Sequence, residues 1–497
     1  MSGEPLAILA LLAASVFAAA ALLAPTPRLR SAAMLAALAL CPLLVIGDQW
    51  HSAEVEALRD EPARAALLAL LATGGCAALV VLFLRLPRAV PLAVVATLPF
   101  RVPIHAGGEE SNLLAPLYVV LAAAVIAAAI TSRAAADADP RAGVPAAVLW
   151  LERMLALFVV AYAFQALYSE DFSNAVKSAC FFLVPFSVLF ALMRDLRWDR
   201  PLLRAALIII VAEALLFALV GFVELAVREL LWNPEVITSN EFHVYFRVNS
   251  LFWDPNVFGR YLALALVVLA AVVLWTRDRR QLGIAAGVAA ILFAALTLTY
   301  SQSSHVALLA GLATLAALRW SFRWTAALAV LAVAAAVAVV VASGVSLDEL
   351  NKDTGGREGL VTGGLDLFAD RPLWGYGSGA FSEAFIRHVV GAVPPVSESH
   401  NEPITVAAEQ GLAGLAVFIA LLVAAFAALA YRLRESMPGF GAAGPGDVAR
   451  AAVLAAFVAL LVHTLSYAGF FEDPMGWLLL AVGAALTTAS ARSPGST

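Results

Sequence analysis

Stretches of mostly apolar residues recur from Pro5 almost to the C-terminus, each ended by a short polar turn. They lie near 5–24, 31–47, 64–84, 89–100, 113–131, 146–168, 175–193, 201–226, 256–276, 282–299, 304–318, 324–343, 411–431, 451–468 and 476–491. A helix that crosses the bilayer needs roughly 20 such residues, so the pattern predicts an all-α integral membrane protein, a polytopic bundle of about 14–15 transmembrane helices. The 89–100 run is short and also fits a half-span or re-entrant piece, a choice that flips the predicted side of the N-terminus. With every run spanning, the N-terminus is outside and the C-terminus inside. The first run lacks a positively charged leader and more spans follow it, so it reads as a retained helix rather than a cleaved signal.

Cationic residues fall on alternate turns: Arg28 and Arg30, Arg85 and Arg88, Arg133 and Arg141, Arg194 to Arg204, Arg277 to Arg280, Arg319 and Arg323, and Arg432 to Arg450. Cytoplasmic turns are enriched in Arg and Lys, so this face is the cytoplasm. The intervening turns are acidic or neutral and face outward. Two of these, 227–255 and 344–410, are far longer than a packed bundle needs, and long loops are usually functional or disordered. The first is aromatic, with Trp232, Phe242, Tyr245, Phe246, Phe252 and Trp253, a composition suited to the membrane interface. The chain therefore divides into N-terminal helices over 1–200, central helices over 201–343 with the aromatic loop, an outward loop over 344–410 and C-terminal helices over 411–497.

Composition sharpens this picture. Of 497 residues, 62% are apolar and 13% charged, which excludes a soluble globule with a charged surface. The net charge of -5 is small and Lys and Arg form no stripe, which argues against a nucleic-acid partner. Cys41, Cys76 and Cys180 lie inside apolar runs without C-x-x-C pairing and read as buried thiols.

The outward loop before the 411–431 run carries the candidate chemistry. From Gly355 it reads GGREGLVTGGLDLFADRPLWGYGSGAFSEAF, and later SESHNEPITVAAEQGLAGLAVFIALL. Pro403 suits the first turn of a helix, and Ser399 or Asn401 suits its cap, so His400 sits at a helix N-terminus. A helix start disfavours protonated imidazole, which leaves His400 neutral and able to accept a proton. Glu402 and Glu409 fall on one face of that helix, about two turns apart. Arg260 lies about one turn inside another apolar run, where an unpaired charge is costly and a functional role is the default reading.

These segments resemble the O-antigen ligase/polymerase family of glycosyl-transferring membrane enzymes. The resemblance rests on Arg371-Pro372-Leu373-Trp374-Gly375-Tyr376-Gly377-Ser378-Gly379 ending at Phe381, and on His400, Asn401, Glu409, Gly411 and Gly414, in this order before a late membrane helix. It covers roughly residues 290 to 430; before that, RVNSLFWDPNVFGRYL resembles a family helix start. The resemblance implies a glycan donor on a polyprenyl (undecaprenyl-type) diphosphate, a glycan or lipid acceptor hydroxyl, no cofactor and no metal, at the outer face of a bacterial inner membrane. On that reading His400, Asn401 and Glu409 are catalytic candidates, while Arg357, Arg260, Arg247, Gln302 and His305 are candidates for holding the diphosphate, for which Arg offers a permanent bidentate cation.

One departure stands out. Where the family commonly has a Ser-Arg pair, this chain reads LTLTYSQSSHVALL, with Gln302 at the arginine position. The expectation is that Arg260 or His305 supplies the missing charge near Arg357 and His400. Asp137-Ala138-Asp139 has the spacing of metal-dependent nucleotide-sugar transferases but falls on the predicted cytoplasmic side and reads as chance. His463, inside an apolar helix, reads as a hydrogen-bonded core residue, and His51, His105, His243 and His388 show no metal-ligand spacing. The competing readings are a polymerase of the same chemistry, a secondary transporter, and a non-catalytic scaffold of an export complex.

Overall fold

The computed structural model describes residues 5–50, 52–106, 109–132, 143–231, 233–242, 245–321, 323, 357–390, 399–433 and 444–492. The 324–343 run and the Asp137-Ala138-Asp139 triplet lie outside them. Among the described residues, twelve helices are long and apolar enough to cross a membrane. They are α1 (Pro5–Leu23), α2 (Pro27–Asp48), α4 (Pro62–Arg85), α6 (Ala115–Ser132), α7 (Ala146–Gln165, continued to Tyr168), α8 (Phe172–Arg194), α9 (Arg200–Val227), α11 (Pro255–Trp275), α12 (Arg279–Leu298), α16 (Glu402–Leu429), α17 (Pro445–Thr464) and α18 (Pro474–Arg492).

The remaining elements are shorter or more polar. Helix α3 (Ala53–Asp60) precedes α4, and the 89–100 run becomes α5 (Ala89–Thr97), a nine-residue helix followed by an antiparallel hairpin of β1 (Val102–Ala106) and β2 (Glu109–Leu113). That helix is too short to cross the bilayer by itself. Helix α10 (Pro234–Phe242) lies in the first long loop, and α13 (Gln302–Arg319) opens on the polar Gln302-Ser303-Ser304-His305. In the second long loop sit α14 (Arg357–Asp370) and α15 (Phe381–Phe385).

The polar turns mark the helix starts because they satisfy free backbone N–H groups. Thr26, Asp199, Asp254, Asp278 and Ser301 each accept a backbone N–H in the first turn of α2, α9, α11, α12 and α13. The cationic turns gather at one end of the bundle. There Arg30 pairs with Asp195, Arg88 with Asp199 at 2.7 Å, and buried Arg194 with buried Glu152 at 2.5 Å. At the other end the Ser173 hydroxyl donates to Asp48 at 2.7 Å, and Arg371 reaches Glu170 at 3.1 Å. The two sets of turns therefore separate as the alternation of charge predicts.

Two apolar cores run through the bundle. One is built mainly from α1, α2, α6, α7, α8, α16 and α18, the other from α9, α11, α12, α13 and α17. In lipid, contacts between helices rest on close packing and interhelical hydrogen bonds rather than on escape from water. Ala and Gly along α11, α13 and α17 permit that approach: a Cβ on Gly311 of α13 would strike the Val267 side chain of α11. Polar groups at the outer end of the seam between the cores are thus enclosed by protein.

Candidate active site

The site begins where α16 begins. Asn401 is its N-cap, with the side-chain oxygen accepting the Ile404 N–H at 3.2 Å, and Pro403 occupies the first turn. The Asn401 amide also donates to the Leu465 carbonyl at 2.9 Å, tying the start of α16 to the end of α17. His400, just ahead of the cap, adopts a left-handed conformation with φ 58° and is half-buried. Such a conformation is uncommon for residues other than glycine, though His is enriched in it several-fold, and the surrounding contacts must maintain it.

Helix α16 is not continuous. Gly411 breaks it with φ 62° and ψ -163°, leaving a short outer helix, 402–410, ahead of the membrane-spanning part. A side chain at Gly411 would collide with the Leu373 and Trp374 backbone, because the glycine-rich turn after α14 threads through this break. The exchange is made by main chain: the Tyr376 and Gly377 N–H groups donate to the Ala408 and Glu409 carbonyls at 3.1 and 2.7 Å, and the Leu412 N–H donates to the Pro372 carbonyl at 2.7 Å. Gly375 at φ 67° meets the Glu409 backbone so closely that no Cβ fits. The two motifs of the outward loop are therefore one structure.

Buried carboxylates complete it. Glu409 accepts the Gly379 and Phe381 N–H groups at 2.8 and 3.1 Å, and Glu402 accepts those of Gly469 and Phe470 at 2.8 and 3.0 Å. Each holds a separate strand of chain against the outer helix. Together with Glu472 they face one cavity of about 70 Å³, but among the described residues no group of His, Cys, Asp and Glu has the arrangement to hold a metal ion. Tyr376 donates to Asp370 at 2.6 Å, and burial together with that carboxylate pushes its phenol up to about 12, so it remains a donor at neutral pH.

The chemistry converges on Tyr467, in the turn between α17 and α18. Its ring lies 5.8 Å from that of His400, 5.8 Å from that of His463, and 5.9 Å from the guanidinium carbon of Arg260. Arg260, one turn into α11, is 3% exposed and pairs with Asp473, itself 1% exposed, at 3.0 Å. Its Nε and Nη1 have no hydrogen-bond partner among the described residues. A buried guanidinium with two idle donors is costly unless a ligand satisfies them. His463 Nε2 lies 3.2 Å from both the Ser303 and Ser304 hydroxyls, and the Ser301 hydroxyl contacts these two at 3.1 and 2.8 Å.

The other predicted residues divide. Arg247 is half-buried on the same side: its Nε donates to the Thr299 carbonyl at 3.0 Å and its Nη2 to the Asn256 side chain at 3.5 Å. Arg357 opens α14, and its side chain lies outside the described residues. Gln302 is exposed and stands apart from the buried serine cluster beside it. His305 is held against its own helix. Its Nδ1 is bonded to the Ser301 carbonyl at 2.8 Å, one turn back in its own helix, and its ring meets Phe293 of α12 edge-on. Arg260 is the residue brought with His400 to the Tyr467 ring, while Asn401 and Glu409 are committed to holding backbone.

Sequence reasoning missed Tyr467 and Asp473 and set His463 aside as core. His463 is fully buried and hydrogen-bonded as that reading expected, yet it also adjoins the ring that joins His400 to Arg260. A signal was present: a buried arginine in α11 demands a carboxylate, and the Glu472-Asp473-Pro474 turn offers one.

No curated protein matches the chain. A family model described as O-Antigen ligase matches residues 287–419. This stretch contains the glycine-rich turn, His400 and the Gly411 break, whereas Arg247, Arg260, His463, Tyr467 and Asp473 come from outside it. The protein is thus a polytopic membrane protein whose residues 287–419 are similar to the O-antigen ligase family.

Proposed function

We propose that this protein transfers a glycan from a polyprenyl-diphosphate carrier to an acceptor hydroxyl on the outer face of a bacterial inner membrane. The observation that carries the reading is the buried Arg260, with Nε and Nη1 unsatisfied, set around the Tyr467 ring with His400. A guanidinium in this state is a fixed, dry anion site, suited to holding a diphosphate.

In the transfer, the acceptor oxygen bonds to the anomeric carbon while the bond from that carbon to the diphosphate oxygen breaks. His400 takes the acceptor proton as general base. Polyprenyl diphosphate departs with its new charge against Arg260, with Arg247 and Arg357 as further candidate cations. Asn401 and Glu409 act by position: one fixes the start of α16 beneath His400, the other anchors the glycine-rich turn. Gln302 hydrogen-bonds without neutralising, and Arg260 carries the charge instead. Whether the acceptor is a lipid core, a second lipid-linked repeat or a protein hydroxyl depends on groups beyond this chemistry.

The test is expression in a host that makes lipid-linked O-antigen but lacks its own ligase or polymerase. Wild type is expected to restore mature glycan seen on gels, lengthened if it acts as a polymerase and joined to lipid core if it acts as a ligase. Silence in hosts offering several donor glycans, at normal membrane levels, would count against the proposal.

A further inference from the structure

The outer rim next to Arg247 carries features that neither diphosphate binding nor proton transfer uses. Tyr245 and Tyr300 stack with ring centroids 4.5 Å apart and planes 23° from parallel, yet they are 39% and 47% exposed. Tyr300 holds φ 50°, a conformation that costs a non-glycine residue free energy and tends to persist where the surroundings impose it for a purpose. Its place is fixed from both sides, by Arg247 bonded to the Thr299 carbonyl and by Ser301 capping α13.

Phe246, next in the chain to Tyr245, lines a recess with both polar and apolar walls. Arg228, Glu229, Asn240 and Glu241 supply its polar wall, Leu230 and Ile237 part of its apolar one, and the Arg228 guanidinium lies 5.3 Å over the Phe246 ring. The recess and the diphosphate side are joined through one residue: Asn240 exchanges two hydrogen bonds with the Arg247 backbone, at 2.9 and 3.0 Å, while the Arg247 side chain points to Thr299 and Asn256. A flat aromatic surface next to carboxylates, an amide and a guanidinium matches the chemistry of a pyranose ring, which has apolar C–H faces and a hydroxyl-bearing edge.

We infer that Tyr245 and Tyr300 form a stacking platform that, with the Arg228–Asn240–Glu241 recess, binds sugar residues of the glycan chain beside the diphosphate site. This rests on the proposed glycan-transfer reading but concerns binding alone. The competing role for two exposed tyrosines at this height is anchoring in the lipid headgroup layer, and the experiment separates the two.

The probe is the host's own O-antigen oligosaccharide, released from its lipid and titrated against the full-length protein in nanodiscs of phosphatidylethanolamine and phosphatidylglycerol, read by saturation-transfer NMR. Wild type, Tyr245→Ala, Tyr300→Ala, Tyr300→Phe and His400→Ala are compared at matched thermal stability. The expected result is Kd weakened roughly tenfold by either alanine, the loss of about 1.4 kcal/mol, with binding retained by the phenylalanine and His400 variants. Unchanged binding in both alanine variants, or no binding by wild type, overturns the platform whatever the transfer activity. Oligosaccharide binding that depends on the tyrosines in a protein that transfers nothing upholds the platform and defeats the transfer reading.

Discussion

Replacing Arg260 by alanine is expected to abolish glycan transfer, lowering the rate by roughly 100-fold to 1000-fold, as loss of one pre-placed donor to developing charge does. The substitution also strands Asp473, which is 1% exposed and pairs with Arg260 at 3.0 Å. Removing one member of a buried pair typically destabilises by about 3–5 kcal/mol, so a loss of activity alone would be ambiguous. Arg260→Lys keeps the cation and loses the fork, and is expected to fold and to retain a few per cent of activity. Arg260→Ala with Asp473→Ala removes the stranded charge. It is expected to recover thermal stability without recovering transfer. Recovery of both would mean that Arg260 serves only to neutralise Asp473.

His400→Ala is expected to lower the transfer rate by roughly 100-fold to 10,000-fold, the range lost with a general base, with little change in the donor concentration needed for half-maximal rate. His400 itself makes no cap; Asn401 does, so the helix start survives the change. The pH profile adds a readout that misfolding would not mimic. A base must be neutral to accept a proton, so the wild-type rate should fall as pH drops through the imidazole range, ordinarily near ~6.5, and the residual rate of His400→Ala should lack that limb. The same limb in both proteins would assign the base elsewhere, with His463 the next imidazole around Tyr467.

Much of this architecture is legible in the chain because a membrane helix is written locally. Length, hydropathy and the capping Thr, Ser and Asp residues lie within each segment, and the Arg-rich turns fix its direction. The cap at Asn401, the Pro403 first turn and the glycine-rich turn are local signals too. What the chain does not display is pairing across it. Gly375 and Gly411 each look like ordinary turn glycines until the turn and the broken helix are seen exchanging hydrogen bonds through the space a Cβ would fill.

The difference between Arg260 and His305 is likewise one of tertiary direction. Both fall about one turn inside a helix, but His305 satisfies its ring nitrogen on its own backbone, whereas Arg260 faces a carboxylate more than two hundred residues away. His463 looked like core because its neighbours in α17 are apolar. Only the arrival of Ser303 and Ser304 from α13 and of Tyr467 from the following turn makes its position relevant to the site.

In the proposed reaction a polyprenyl diphosphate leaves as a glycan is transferred. The most direct measurement is to reconstitute the purified protein in liposomes with lipid-linked O-antigen and an acceptor, and to count both products by mass spectrometry. One polyprenyl diphosphate is expected to be released for each glycan bond formed, with both products lost together in His400→Ala. Glycan transfer without release of the diphosphate lipid, or release that continues unchanged in His400→Ala, would contradict it.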